Sequence, residues 1–113
     1  MGFQLKRKGE ILGINEELST YGRPVFEKDL EDGVIAEANK DGTTFVNKNS
    51  SKEQKEEAIE HEEVHHEQME RGDLDYTDSA VKWKGKTYSR NKMNEGSAQL
   101  PWEKEAYAKT KKK

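Results

Sequence analysis

The segment between residues 34 and 48 alternates short β-favouring runs with a turn signal. "GVIAEANKDGTTFVNKN" places Val, Ile, Thr and Phe on either side of Asp41-Gly42, a dipeptide suited to the positive φ angles of a tight hairpin turn. The pattern predicts two antiparallel strands, near 34–39 and 43–48.

A longer polar segment, "SSKEQKEEAIEHEEVHHEQMERGD", carries helix signals at both ends. Ser50 or Ser51 can cap the first turn with Glu53 or Gln54 three residues later, and Gly72 is a stop signal. The segment predicts a helix whose inner face mixes small apolar and ionisable groups at spacings of three and four: Ala58, Glu62, His65 and Met69.

Two shorter patterns follow this helix. "VKWKGKTY" alternates Val81 and Trp83 with lysines and turns at Gly85, which predicts a second hairpin or a bent strand pair. "LPWEKEAYAK" has Pro101 at a helix start with Glu103 close behind, which predicts a final helix. The order of elements predicts an α+β domain in which a short antiparallel sheet packs on the two helices.

The two ends of the chain carry weaker signals. Residues 1–33 contain a short strand pattern in "FQLK" and turn signals at Gly22 and Pro24, and we leave their structure unassigned. We place a single domain at 34–108 and expect 109–113 to be a disordered basic tail.

Composition narrows the classes of protein that fit. Only 30% of the residues are hydrophobic and 38% are charged, so we expect a thin core that a bound metal would help to stabilise. The net charge of −3, with both signs interleaved, argues against a nucleic-acid partner. The absence of cysteine excludes disulfides and thiolate metal sites. With no signal-peptide pattern and no membrane span, we expect a cytoplasmic protein.

All three histidines lie in "HEEVHHEQ", residues 61–68. His61, Glu62 and His65 form an HExxH pattern inside the predicted helix. Histidines four residues apart project from one helix face, so both rings can meet a single zinc ion at about 2.0–2.1 Å. Glu62 between them is placed to take a proton from the zinc-bound water, which predicts a general base.

A hydrolytic zinc site needs a third protein ligand, and we expect a carboxylate. His66 points about 100° away from His65 around the helix and does not suit the same metal. Asp73, Asp75 and Asp78 are typical of turns and solvated surface. The glutamates of "PWEKEAY" are better candidates, because a helix can lay one of them beside the histidines.

These motifs resemble those of a minimal gluzincin metallopeptidase, particularly the small zincin-like proteins of tailed bacteriophages and related injection machines. The resemblance covers residues 34–108 and is carried by "VIAEANKDGTTFVN", "HEEVHHEQ", "WKGKTY" and "PWEKEAYA". It implies a zincin-like fold, a zinc cofactor and a ligand glutamate three residues before an alanine. That spacing selects Glu103, three before Ala106, with Glu105 as the runner-up.

The resemblance also implies partners. A peptide or protein substrate would lie extended along the strand near 43–48, and the protein would work with, or be incorporated in, a phage virion or another assembly. One position departs from the family: several gluzincins carry an aspartate four residues after the ligand glutamate, where this chain has Tyr107. Tyr107, Tyr88 and Arg90 are candidates for stabilising an oxyanion, with ordinary packing as the alternative for each.

The sequence therefore leaves three functional hypotheses. The first is a zinc peptidase with His61, His65 and Glu103 as ligands and Glu62 as base. The second is a zinc-stabilised structural or interaction component, favoured by the little chain available to build a substrate cleft. The third is a charged helical adaptor without metal, in which a glutamate-rich helix shows HExxH by chance.

Overall fold

The computed structural model describes residues 14–95 and 97–110 of the chain. Within them six strands form two three-stranded sheets, ordered β1-β3-β2 and β4-β5-β6. The predicted α+β class is confirmed. The elements in chain order are β1 (Val25–Lys28), β2 (Ala36–Ala38), β3 (Thr44–Asn47), α1 (Lys52–Glu70), β4 (Leu74–Tyr76), β5 (Ala80–Trp83), β6 (Lys86–Ser89), a 3₁₀ turn (Arg90–Lys92) and α2 (Pro101–Thr110).

The first sheet contains the predicted β2–β3 hairpin and one further strand. β2 pairs antiparallel with β3, opposing Ala36 to Val46. β1, from the segment that the sequence leaves unassigned, pairs parallel with the other side of β3. The sheet is therefore mixed rather than wholly antiparallel, with β3 in its centre and β2 at an edge.

The β2–β3 and β5–β6 hairpins turn differently. Lys84 and Gly85, between β5 and β6, have φ angles of 50° and 86°, and two successive positive values are typical of a two-residue type I′ turn. Between β2 and β3 only Gly42 has a positive φ, 93°, while the Asp41 carboxylate accepts from the Thr43 N–H. The turn predicted at Asp41-Gly42 is thus longer than two residues, whereas the β5–β6 turn has two.

Helix α1 begins and ends where its sequence signals indicate. Ser51 is the N-cap: its hydroxyl accepts from the Gln54 N–H at 3.1 Å, and the Gln54 side chain accepts from the Ser51 N–H at 3.0 Å. This reciprocal capping box satisfies two helix-end donors. Gly72, with a φ of 86°, follows the last helical residue, Glu70.

Two small hydrophobic clusters form the core. The first joins α1 to the β1-β3-β2 sheet and contains Leu18, Val25, Val46 and Ile59. The second joins the β4-β5-β6 sheet to α2 and contains Leu74, Val81, Trp83 and Trp102. Helix α1 packs against both sheets and α2, so it lies at the centre of the molecule.

The two ends of the chain extend beyond the described residues. The strand expected in "FQLK" and residues 111–113 of the expected basic tail lie outside the described residues, whereas Lys109 and Thr110 belong to α2. None of the helices in the described part is long and apolar enough to cross a bilayer.

Candidate metal centre

Three ionisable side chains from the two helices converge on one point. Nε2 of His61 lies 2.8 Å from Oε1 of Glu103, and Nε2 of His65 lies 3.2 Å from the same oxygen. One donor atom from each of the three residues lies within 4.8 Å of the others. His61, His65 and Glu103 therefore form a group that can hold a metal ion.

The spacing of these donor atoms suits a four-coordinate ion. With bonds of about 2.0–2.1 Å, two donors of a tetrahedral site are about 3.3–3.4 Å apart. The distances of 2.8 and 3.2 Å fall short of that by roughly 0.5 Å or less. Small outward shifts of the side chains of His61, His65 and Glu103 would open the tetrahedron and leave its fourth position for water.

The group is shielded from solvent, and its side chains shift one another's pKa values. Its three side chains are only 16%, 10% and 13% exposed, for His61, His65 and Glu103 respectively. Burial favours the neutral form of Glu103, yet the hydrogen bonds with the two histidines lower its pKa to about 2. Burial likewise disfavours the charged form of His65, but the Glu103 hydrogen bond and the nearby Glu62 charge raise its pKa to about 9.

The predicted general base lies in the same cleft. Glu62 is partly buried, and this burial raises its pKa to about 7 against the opposing effect of His65 and His61. The backbone N–H of Ala38, on β2, interacts with the carboxylate. A carboxylate whose pKa lies near neutrality is suited to accept and return a proton at physiological pH.

Packing at the start of α2 fixes where Glu103 points. Its neighbour Trp102 is buried, stands edge-on to Tyr88 with ring centroids 5.0 Å apart, and lies 6.3 Å from the Trp83 ring. The Trp102 carbonyl accepts a hydrogen bond of 3.0 Å from the Gln68 amide of α1. Glu103 is thereby carried on a helix start that is anchored to both the second sheet and α1.

The two histidines are held in different ways. Nδ1 of His65 lies 2.8 Å from Oε1 of Gln68. The His61 ring lies against Tyr107, with centroids 4.5 Å apart and an interplanar angle of 56°. Gln68 is not singled out by the sequence, although its place three residues after His65 puts both side chains on one helix face.

A cleft of about 1240 Å³ runs past the three donors. Edge strand β2 lines one side of it, and the second sheet and α2 line the other. Strand β3 is paired on both sides, to β1 and β2, so its backbone cannot take up an added strand. The expectation that a substrate would lie along 43–48 is therefore wrong, and β2 is the edge strand at the cleft.

Other candidates from the sequence lie outside the group. Nε2 of His66 lies 2.9 Å from the Thr44 hydroxyl, and burial lowers the pKa of this histidine to about 4. Glu105 accepts from Gln68 at 2.7 Å and from Arg71 at 2.8 Å, so it faces away from the histidines.

The candidates for an oxyanion stabiliser have other contacts. Tyr88 packs against Trp102 in the second core cluster. Arg90 lines the cleft but makes a two-pronged contact with Glu95, at 3.0 and 2.8 Å. Tyr107, at the position where several gluzincins carry an aspartate, contacts the His61 ring.

No family model matches the chain, and neither curated proteins nor solved structures contain a significant match. The geometry of this site is therefore the basis on which a function can be proposed.

Proposed function

We propose that the protein is a zinc-dependent metallopeptidase of a minimal, gluzincin-like type. The observation that carries the proposal is the meeting of His61, His65 and Glu103 at one point, with Glu62 on the same cleft. Two imidazoles and one carboxylate are a ligand set of catalytic zinc sites, which keep a fourth position open. The fold would then be zincin-like, with the HExxH pattern on α1 and the ligand glutamate on α2.

The roles of the side chains follow from their chemistry. His61, His65 and Glu103 would hold the ion, which when bound supplies Lewis acidity toward a peptide carbonyl and toward water. Glu62, on the same cleft as the three ligands, would accept the proton of the attacking water and return it to the leaving amine.

Strand β2 is the surface on which we place the substrate. Ile35 and Asn39 exchange backbone hydrogen bonds with β3, through Asn47 and Thr43. Because backbone groups alternate sides along a strand, Ala36 and Ala38 direct theirs away from β3 and into the cleft, where the Ala38 N–H already interacts with Glu62. An extended peptide would add to this edge as a further strand.

The test is the substitution Glu62→Gln. It should leave zinc binding intact and abolish cleavage of an unfolded protein or a mixed peptide library, because the amide cannot accept the proton. Glu57→Gln, on the same helix and also lining the cleft, is the matched control that should cleave normally. Equal cleavage by wild-type protein and Glu62→Gln would remove Glu62 from the mechanism.

A second function is favoured by one contact in the cleft. The Tyr76 hydroxyl donates to the Ala38 carbonyl at 3.1 Å, so part of the β2 edge is already occupied. A zinc-stabilised structural component, for example of a virion, would need no free edge. In that case Glu62→Gln would change nothing, while chelation of zinc would still lower the melting temperature.

A further inference from the structure

Gln68 is a buried amide whose two N–H donors and oxygen all have hydrogen-bond partners. Its side chain is 0% exposed. Nε2 donates to the Trp102 carbonyl at 3.0 Å and to Oε1 of Glu105 at 2.7 Å. Both amide protons are therefore taken by groups that only accept, and this fixes which end of the amide is the oxygen.

The orientation of Gln68 determines the proton position on His65. With both N–H groups committed, the atom facing Nδ1 of His65 at 2.8 Å is the oxygen Oε1. An amide oxygen cannot donate, so Nδ1 must carry the proton in this contact. In a neutral ring Nε2 then has a free lone pair, and Nε2 is the atom that points at Glu103.

The contacts of Glu105 also oppose the flipped orientation of the Gln68 amide. Glu105 is held by Arg71 at 2.8 Å, and Arg71 also binds Asp73 at 2.7 Å. Flipping Gln68 would place its oxygen against the Trp102 carbonyl and the Glu105 carboxylate. Two repulsive contacts between acceptors would replace these two hydrogen bonds, so the Arg71–Glu105 pair secures the amide end that His65 meets.

We infer that Gln68 is a positioning residue that makes His65 a metal ligand through Nε2. The inference rests on the proposed metal site and extends it to the shell around His65. Ligand histidines commonly donate their second N–H to a carboxylate or carbonyl oxygen. Here a neutral amide accepts it, and the same amide ties α1 to the first turn of α2, which carries Glu103.

Zinc affinity provides the first test of this role. Gln68→Met keeps the length of the side chain and removes its oxygen, so zinc affinity, measured by competition with a chelator, should fall ten- to a hundredfold. Thr44→Val is the control: it removes a buried hydrogen bond to His66 instead and should leave zinc affinity within about twofold.

A spectroscopic readout on wild-type protein keeps the test independent of folding in the variant. In long-range ¹H–¹⁵N spectra of the zinc-loaded protein, His65 should show a slowly exchanging Nδ1–H and a zinc-bound Nε2. Gln68→Met should lose the protection of that proton.

Two results separate this inference from the proposed function. Coordination of His65 through Nδ1, or equal affinity in wild type and Gln68→Met, overturns the role of Gln68 while the zinc site stands. A wild-type protein that binds no zinc overturns both.

Discussion

Glu103→Gln should weaken the loss of stability that the metal-free protein suffers as pH rises. In the absence of metal, Glu103 and His65 form a shielded pair 3.2 Å apart. Against the opposing effect of burial, the Glu103 hydrogen bond and the nearby Glu62 charge raise the pKa of His65 from its ordinary value of 6.5 to about 9. Replacing the carboxylate by an amide removes the negative charge and leaves the burial.

The magnitude follows from proton linkage. A group with a raised folded-state pKa stabilises the fold fully below its unfolded pKa and loses that contribution as pH rises through the folded value. At 1.36 kcal/mol per pH unit, the interval from 6.5 to about 9 corresponds to about 3 kcal/mol. His65 is only 8% exposed, so solvent screens little of this.

Urea unfolding in EDTA at pH 6 and pH 10 measures the effect. Wild-type protein should lose more stability than Glu103→Gln over this range, by up to about 3 kcal/mol. Glu57→Gln, on α1 and lining the same cleft, should behave as wild type. A Glu103→Gln variant that loses as much stability as wild type would refute the pairing of His65 with Glu103.

Three further outcomes are expected. The pKa of His66 is lowered to about 4, so the metal-free protein should lose about 3 kcal/mol of stability as pH falls from 6.5 to 4, because the unfolded chain takes up a proton there and the folded chain does not. Acid titration of His66→Gln should show a smaller loss of stability. Gly85→Ala should destabilise by about 1–2 kcal/mol in urea, because a φ of 86° is strained for alanine although no atom lies within 4 Å of the added methyl group. Zinc at a thousand times its Kd should add about 4 kcal/mol, seen as a higher Tm that EDTA reverses and that grows with pH, because the ligands must be deprotonated.

Much of the site could be predicted from the sequence because it lies on helices. A helix fixes the relation between positions four apart, so HExxH in a well-capped segment places His61 and His65 side by side. The choice of Glu103 over Glu105 came from resemblance to a family. The structure supplies a physical reason, because Glu105 is turned toward Gln68 and Arg71.

The parts that could not be predicted depend on contacts distant in sequence. β1 lies in a segment without clear periodicity, and it forms a strand because β3 offers it a parallel edge. The same pairing makes β3 a central strand and moves the open edge to β2. In the sequence Gln68 is one more polar residue of a charged helix. Its role depends on α2, which brings the Trp102 carbonyl to it.

The most direct measurement is anomalous diffraction at the zinc absorption edge from crystals of tag-free protein grown with zinc. The account predicts one peak per chain, about 2.0–2.2 Å from Nε2 of His61, Nε2 of His65 and a carboxylate oxygen of Glu103. A peak bound by other residues, or no peak between α1 and α2, would contradict it.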